Sequence, residues 1–401
     1  MVWRMCCSQK FARFRFVDSR VSLATVQPFP WFGRAVWKKG YPAFRRGGGQ
    51  FSNVRYAFGI FWWQTAFYHS TYRDLRLASL IEALDWLPRH FGALKPTDEH
   101  CIPRGYYSPG FIAVLAAYLN HKGVRGDALT YACEQNQGYL AAVGLSRALW
   151  GVDDYQYERK NAGVNYAPLT PLASQDAVDA ATAQINSCLR AYAVQGASDY
   201  SKSPAFKDLT HVVGELHDNV WSHGLSTGFS TAQRQLLRKG PDHVIEFSLA
   251  DCGLGFLDEL KRSGIRGVHT SQEAIDWCIQ EGNSSKLATK VDEWAQSVPE
   301  DFLGGNSFGG ATVRPVGNGN HHQGLGLAKL VELAKKYNGV LYLASGNCVM
   351  RMLHSGAIKY RPLHSPWKGV AISLSIKESS FMAAKADEAA DIDDIMNLLR
   401  R

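Results

Sequence analysis

Three short segments hold residues whose types and spacing could do chemistry. The first, residues 209–224, reads LTHVVGELHDNVWSHG. In it Leu209, Val212, Val213, Leu216 and Val220 recur as a buried helical stripe, which predicts a helix over about 205–223. Glu215 and Asn219 stand four apart, so they share one face at the edge of that stripe. An amide oxygen can ligate a hard cation such as magnesium. A carboxylate one turn away can take a proton from a nucleophile. The second segment is DCGLG, Asp251 to Gly255, directly after the apolar run Val244 to Ala250, a predicted buried strand. An Asp at a strand end puts a carboxylate on a pocket floor, where it can accept a hydrogen bond from an exocyclic amine such as that of adenine. Gly253 and Gly255 allow backbone to approach a ligand closely. The third is GLGL, Gly324 to Leu327, opening a helix predicted over Leu325 to Tyr337. The free N–H groups of a helix N-terminus attract phosphate.

Each segment alone has an ordinary reading: a solvated helix edge, an Asp-Gly turn, a helix starting after a loop. Their order and contexts are what make them specific. Ser174 is a predicted N-cap for a helix reaching about Val194, and Val340–Ala344 and Val370–Ile376 read as strands that close the set. Between the second and third segments, residues 304–324 hold seven glycines, too many for a stable helix or strand.

The ordered set resembles the N box and two glycine boxes of the Bergerat-fold ATPases, the gyrase, histidine-kinase and mismatch-repair type, over about half the chain. The pattern E-x-x-x-N-x-x-x-H-G, ending at His223 and Gly224, is most similar to the anti-sigma-factor serine kinases. Asn338-Gly339 is similar to the family's Gly-Gly turn, and Gly369 to its final box, with Val370 where Thr is common. The resemblance implies an α+β protein whose residues 170–378 form an α/β sandwich, a mixed sheet with helices on one face. It implies ATP and Mg2+ as ligands. Asn219 would ligate magnesium, Asp251 would bind the adenine amine, and Gly253 and Gly255 would shape the base pocket. Gly324, Leu325 and Gly326 would contact phosphates, and Glu215 would be the general base. The stretch 304–323 would be a lid beginning near GNSSK, 282–286, with His321 and His322 as surface residues beside it. The activity implied is an ATPase or a protein serine kinase acting in regulation. The competing expectation is an ATP-gated interaction module with little turnover. No H-E-x-x-P phosphoacceptor box precedes the motifs, which disfavours a two-component sensor kinase.

Outside this region the sequence says less. Leu75, Leu77, Leu80, Ile81, Leu84 and Leu87 predict a helix stopped by Pro88, and Phe111, Val114, Leu115, Tyr118 and Leu119 a second, amphipathic one. With a third helix over Tyr139 to Leu149, residues 70–167 read as a small α/β domain. Its segment YLAAVGL, Tyr139 to Leu145, resembles STAS-like domains. Pro168 and Pro171 mark a linker, and residues 379–401 a tail in which Ile392, Ile395, Met396 and Leu399 share one helical face.

The chain has 401 residues, 46% hydrophobic and 20% charged, the balance of a soluble globular protein. Its net charge of +8 is local: residues 1–50 hold ten Lys and Arg against one acid, Asp18, and the remainder carries 34 bases and 35 acids. Residues 1–55 therefore read as a basic leader without regular structure, and nucleic-acid binding is expected only through it. No run of 18 apolar residues suggests a membrane span. The eight cysteines include no C-x-x-C pair, so thiols reduced in a cytoplasm are expected rather than zinc or disulfides. A protein partner or phosphoacceptor and pairing into a homodimer are further expectations of the resemblance.

Overall fold

The computed structural model describes residues 75–195, 199–224, 226–237, 240–283 and 326–381. The leader, the expected lid with His321 and His322, Gly324, Leu325 and the tail helix lie outside the described residues. In chain order the elements are β1 (Leu75–Ala78), α1 (Leu80–Phe91), β2 (His100–Ile102), β3 (Gly105–Tyr107), α2 (Pro109–Lys122), β4 (Leu129–Tyr131), α3 (Glu134–Val143) and α4 (Leu145–Trp150). There follow β5 (Tyr166–Leu172), α5 (Gln175–Gln195), α6 (Pro204–Asn219), β6 (Gly228–Leu236), β7 (His243–Asp251), α7 (Phe256–Arg262) and α8 (Ser271–Cys278). The last are α9 (Gly326–Lys336), β8 (Val340–Met352) and β9 (Ile358–Lys377). Among the described residues no helix is long and apolar enough to cross a membrane.

The protein is α+β, built on a five-stranded sheet in the order β5-β6-β7-β9-β8. The expected mixed sheet is instead antiparallel at every pairing. Two of those pairings, β6–β7 and β8–β9, join strands consecutive in sequence, and a short hairpin connection permits only the antiparallel arrangement. Pro168 and Pro171 lie inside β5 rather than in a linker. That strand is at the sheet edge, where a residue without an N–H is tolerated.

Helices cover both faces of the sheet, not one. On the inner face Ile245, Phe247, Leu249, Leu343, Ile372 and Leu374 share a core with the apolar stripes of α5, α6 and α9. On the outer face Phe229, Ala250, Ala371 and Ala344 form a row in register across β6, β7, β9 and β8. Three alanines in a row leave a shallow trough, and α2 belongs to the core that includes it. This helix is not amphipathic as expected: every residue from Pro109 to Leu119 is buried. A helix apolar all round must be covered all round. The sheet, α1 and α4 share that core with it. Burying Phe111, Ile112, Val114, Leu115 and Leu119 contributes on the order of 10 kcal/mol before entropy is counted.

The N-terminus of α2 is held electrostatically as well. Ser108 caps it, and the Gly110 N–H donates to Glu246 Oε1 of β7 at 3.0 Å. A carboxylate at the positive end of a helix is a favourable placement. Residues 75–165, expected to form a small domain, thus close their apolar surface on the sheet, and all described residues fall in one compact unit. Their own strands make only the parallel pairs β1–β3 and β2–β4.

Two local expectations fail for identifiable reasons. Leu75 and Leu77 belong to β1, because Ser79 and Glu82 form a capping box that starts α1 after them. Pro88 lies within α1, which continues to Phe91. Burial of Trp86, Leu87 and Phe91 holds the last turn despite the lost hydrogen bond.

Shared packing across the outer face predicts cooperative loss. Phe111→Ala should lower stability by about 3–5 kcal/mol within one urea transition, seen together by far-UV and near-UV circular dichroism. A separate early transition that leaves the sheet intact would contradict a common core.

Candidate functional site

The sheet's inner face and the β7 end form a cleft, and residues from all three motif segments border it. Asn219 comes from α6, Asp251 from the last position of β7 and Gly326 from the first position of α9. The cleft has a cavity volume of about 100 Å³, and about 780 Å³ of empty space when its open mouth is included. Its walls are largely apolar: Val220, Leu254, Phe256, Leu327 and Val370 are among them. A few polar groups converging in an apolar cleft is the usual make-up of a small-molecule site.

Local sequence explains how α6 brings its residues there. Ser203 accepts a hydrogen bond from the Phe206 N–H and Pro204 opens the helix, both standard start signals. Leu209, Val212, Val213 and Leu216 face the core. His217, on the buried side, bonds Thr182 Oγ1 of α5 at 2.8 Å and Ser230 Oγ of β6 at 2.7 Å. Burial pushes its pKa down to about 3, so the ring is neutral at ordinary pH. With α6 pinned on that side, Glu215 and Asn219 project from the other. The helix then widens into a π-turn over Val220–Gly224, a distortion frequent at functional sites.

Asp251 is buried, 2% exposed. Loss of water raises its pKa to about 7, against the lowering effect of hydrogen bonds from the Gly253 and Val370 amides. The Gly253 N–H donates to Asp251 Oδ1 at 2.8 Å. Gly369, at φ +100°, closes the other side. A Cβ there would stand 2.4 Å from the Asp251 carbonyl oxygen and 2.6 Å from Oδ1, so no side chain fits.

The first and second motif segments interlock through backbone. The Leu254 N–H donates to the Gly224 carbonyl at 2.9 Å. Gly253 packs on Gly224, and Gly255 packs on Ser345. Neither Gly253 nor Gly255 borders the cleft; they hold Asp251 and Leu254 in its wall. Ser345 Oγ accepts from the Phe256 N–H and donates to the Gly369 carbonyl, each at 3.0 Å, tying α7 to β9.

Glu215 is buried just behind Gly326. A Cβ on Gly326 would lie 2.8 Å from Glu215 Oε2, so glycine is what lets α9 start this close to α6. Oε1 lies 3.2 Å from His211 Nδ1 and 3.5 Å from Lys329 Nζ. Among the described residues no group of three or more His, Cys, Asp or Glu could hold a metal ion. A divalent ion here would take Asn219 as protein ligand and fill its shell with ligand and water oxygens, a common arrangement for magnesium.

Several contributors were not found from the sequence: Phe256, Trp277 and Cys278 in the walls, and Ser345 behind them, while Leu254 and Asn283 lie within the DCGLG and GNSSK segments without a role having been assigned to either. Trp277 and Cys278 ride on α8, whose start carried a readable signal, the capping box of Thr270 and Glu273. Burial pushes the Cys278 thiol up to about 12, so it is a wall rather than a nucleophile.

No family model, curated protein or solved structure matches the chain.

The raised pKa of Asp251 has a consequence for stability. The folded protein keeps a proton on Asp251 that the unfolded chain releases near pH 4, so stability falls as pH rises from about 4 through 7 and levels off above. Asp251→Asn removes that titration while keeping an acceptor for the Gly253 N–H. Its stability relative to the wild type should therefore rise between pH 4 and pH 8, by on the order of 4 kcal/mol, in urea titrations at both pH values. A pH-independent difference would mean that the carboxyl is not desolvated as described.

Proposed function

We propose that the cleft binds Mg-ATP and that the chain is an ATP-dependent phosphoryl-transfer protein of the Bergerat type, an ATPase or protein serine kinase. The observation that carries this reading is the convergence of Asn219, Asp251 and Gly326 on one apolar cleft, from three segments that together span more than 100 residues of sequence. The order of the motifs and the fit of their chemistry support it. Asp251 accepts the exocyclic amine of adenine, and an amine donor entering the site favours its carboxylate form. Leu254, Phe256 and Val370 supply apolar surface for the base. The first turn of α9 supplies backbone N–H groups to phosphates. Asn219 holds magnesium, which would screen phosphate charge and polarise the phosphoryl oxygens. Glu215 orients a water, or a partner's hydroxyl, and accepts its proton.

The second reading, an ATP-gated interaction module with little turnover, has one observation in its favour: Glu215 is engaged by His211 and Lys329. The two readings share the binding site and differ in what Glu215 does.

Calorimetry of the full chain with Mg-ATP tests the shared part. Asp251→Ala should weaken binding about 10- to 100-fold, the loss of a buried hydrogen bond to a charged group. Asn219→Ala should remove the magnesium dependence. Glu215→Gln should bind as the wild type does and, on the first reading, lose turnover. A folded wild type that binds no nucleotide would overturn the proposal.

A further inference from the structure

Two cavities are bordered by neighbours of Glu215. One is the cleft proposed for nucleotide, bordered by Asn219 and Gly326. A second cavity of about 290 Å³ opens between α6 and α9. Lys207, His211, Lys329 and Lys336 line it, with Asp208 and Glu332. The two residues that engage Glu215 Oε1, His211 and Lys329, are thus both part of the second cavity.

Lys329 differs from His211 in where it can go. It stands three residues after Gly326, one turn into α9, and its side chain is 40% exposed. Its long flexible stem lets the ammonium swing between Glu215 and anything anionic seated at the start of the same helix. His211 is on α6, one turn before Glu215, and is tied to the same helix as its partner.

We propose that Lys329 reads the terminal phosphate of the bound nucleotide. The inference rests on the nucleotide reading of the cleft. Without a triphosphate the Lys329 ammonium stays on Glu215 and holds that carboxylate idle. With a triphosphate in place the ammonium moves to the terminal phosphate, which carries more charge than a carboxylate and offers more acceptor oxygens. Glu215 is then released to a water or hydroxyl, with His211 still positioning Oε1. A diphosphate lacks the third phosphate that would reach the ammonium and leaves the ion pair intact. One lysine would couple the identity of the nucleotide to the availability of the base.

When the 40% exposed Lys329 is removed, Glu215 keeps His211 at 3.2 Å, so the buried carboxylate is not left without a partner. Lys329→Met should therefore be folded and testable. Calorimetry of the full chain compares Mg-ADP with a non-hydrolysable Mg-ATP analogue. The wild type should bind the triphosphate about tenfold more tightly than the diphosphate, the worth of one charge-assisted contact. Lys329→Met should keep the ADP affinity and lose the preference, and Lys329→Arg should regain part of it. An unchanged preference in Lys329→Met would overturn the inference, as would an equal loss for both nucleotides. Failure of the wild type to bind either nucleotide would remove the cleft's reading, and this inference with it, before any variant is made.

Discussion

Burying a carboxylate takes away its water, and what replaces that water fixes the architecture around it. At Asp251 the replacement is backbone. The Gly253 and Val370 amides point at the side chain, and for both to reach it the DCGLG loop and the start of the last stretch of β9 must fold over the end of β7. That crowding is why a glycine stands at 369, and why the loop leans on the carbonyl of Gly224. The contact with Gly224 in turn sets where α6 ends, and with it where Asn219 stands. One desolvated carboxyl thus fixes the relative positions of three segments far apart in sequence. The remaining imbalance is a carboxyl whose pKa burial lifts to about 7.

Strand β7 carries a second carboxyl, the half-buried Glu246, and the contrast is instructive. Glu246 receives the Gly110 N–H, Ser373 Oγ at 2.9 Å and Ser248 Oγ at 3.4 Å. It too is raised by burial, with those bonds working the other way. Its donors come from both the sheet and α2, and what it achieves is the docking of α2 on the outer face. Asp251 takes its donors from its own loop and from Val370 of β9, and it faces the cleft. The same residue chemistry on one strand therefore docks a helix at one point and lines a cleft at the other.

The motif residues were legible because their signals are local. Glu215 and Asn219 declare themselves by a four-residue spacing on an apolar helix, Asp251 by its place after an apolar run. Each element that carries them has the expected type and nearly the expected ends. What the sequence did not disclose is set by distance. The trough of Ala250, Ala371 and Ala344 exists only when three strands are in register, so nothing in any one strand says that α2 will lie there or that the sheet is covered twice. Strand β6 escaped notice because its alternation is blurred: Ser230, Thr231 and Gln233 are buried polar residues with partners on other elements. The two prolines of β5 pointed to a linker, and only its place at the sheet edge makes them acceptable.

Lys329 is the case where local reading misleads most. On its own helix it is one more lysine of an exposed stripe, equivalent to Lys335 and Lys336. Its difference comes from α6, whose Glu215 is buried four residues before the motif asparagine and close against Gly326. Gly326 lets Glu215 approach the start of α9, and on the proposed reading the carboxylate and the third phosphate of a nucleotide would sit within reach of the same ammonium. Two anions that share one mobile cation cannot both be neutralised by it at once. The stronger wins and the weaker is released. On the proposed reading, that competition would give the site a way to sense the third phosphate without any further moving part.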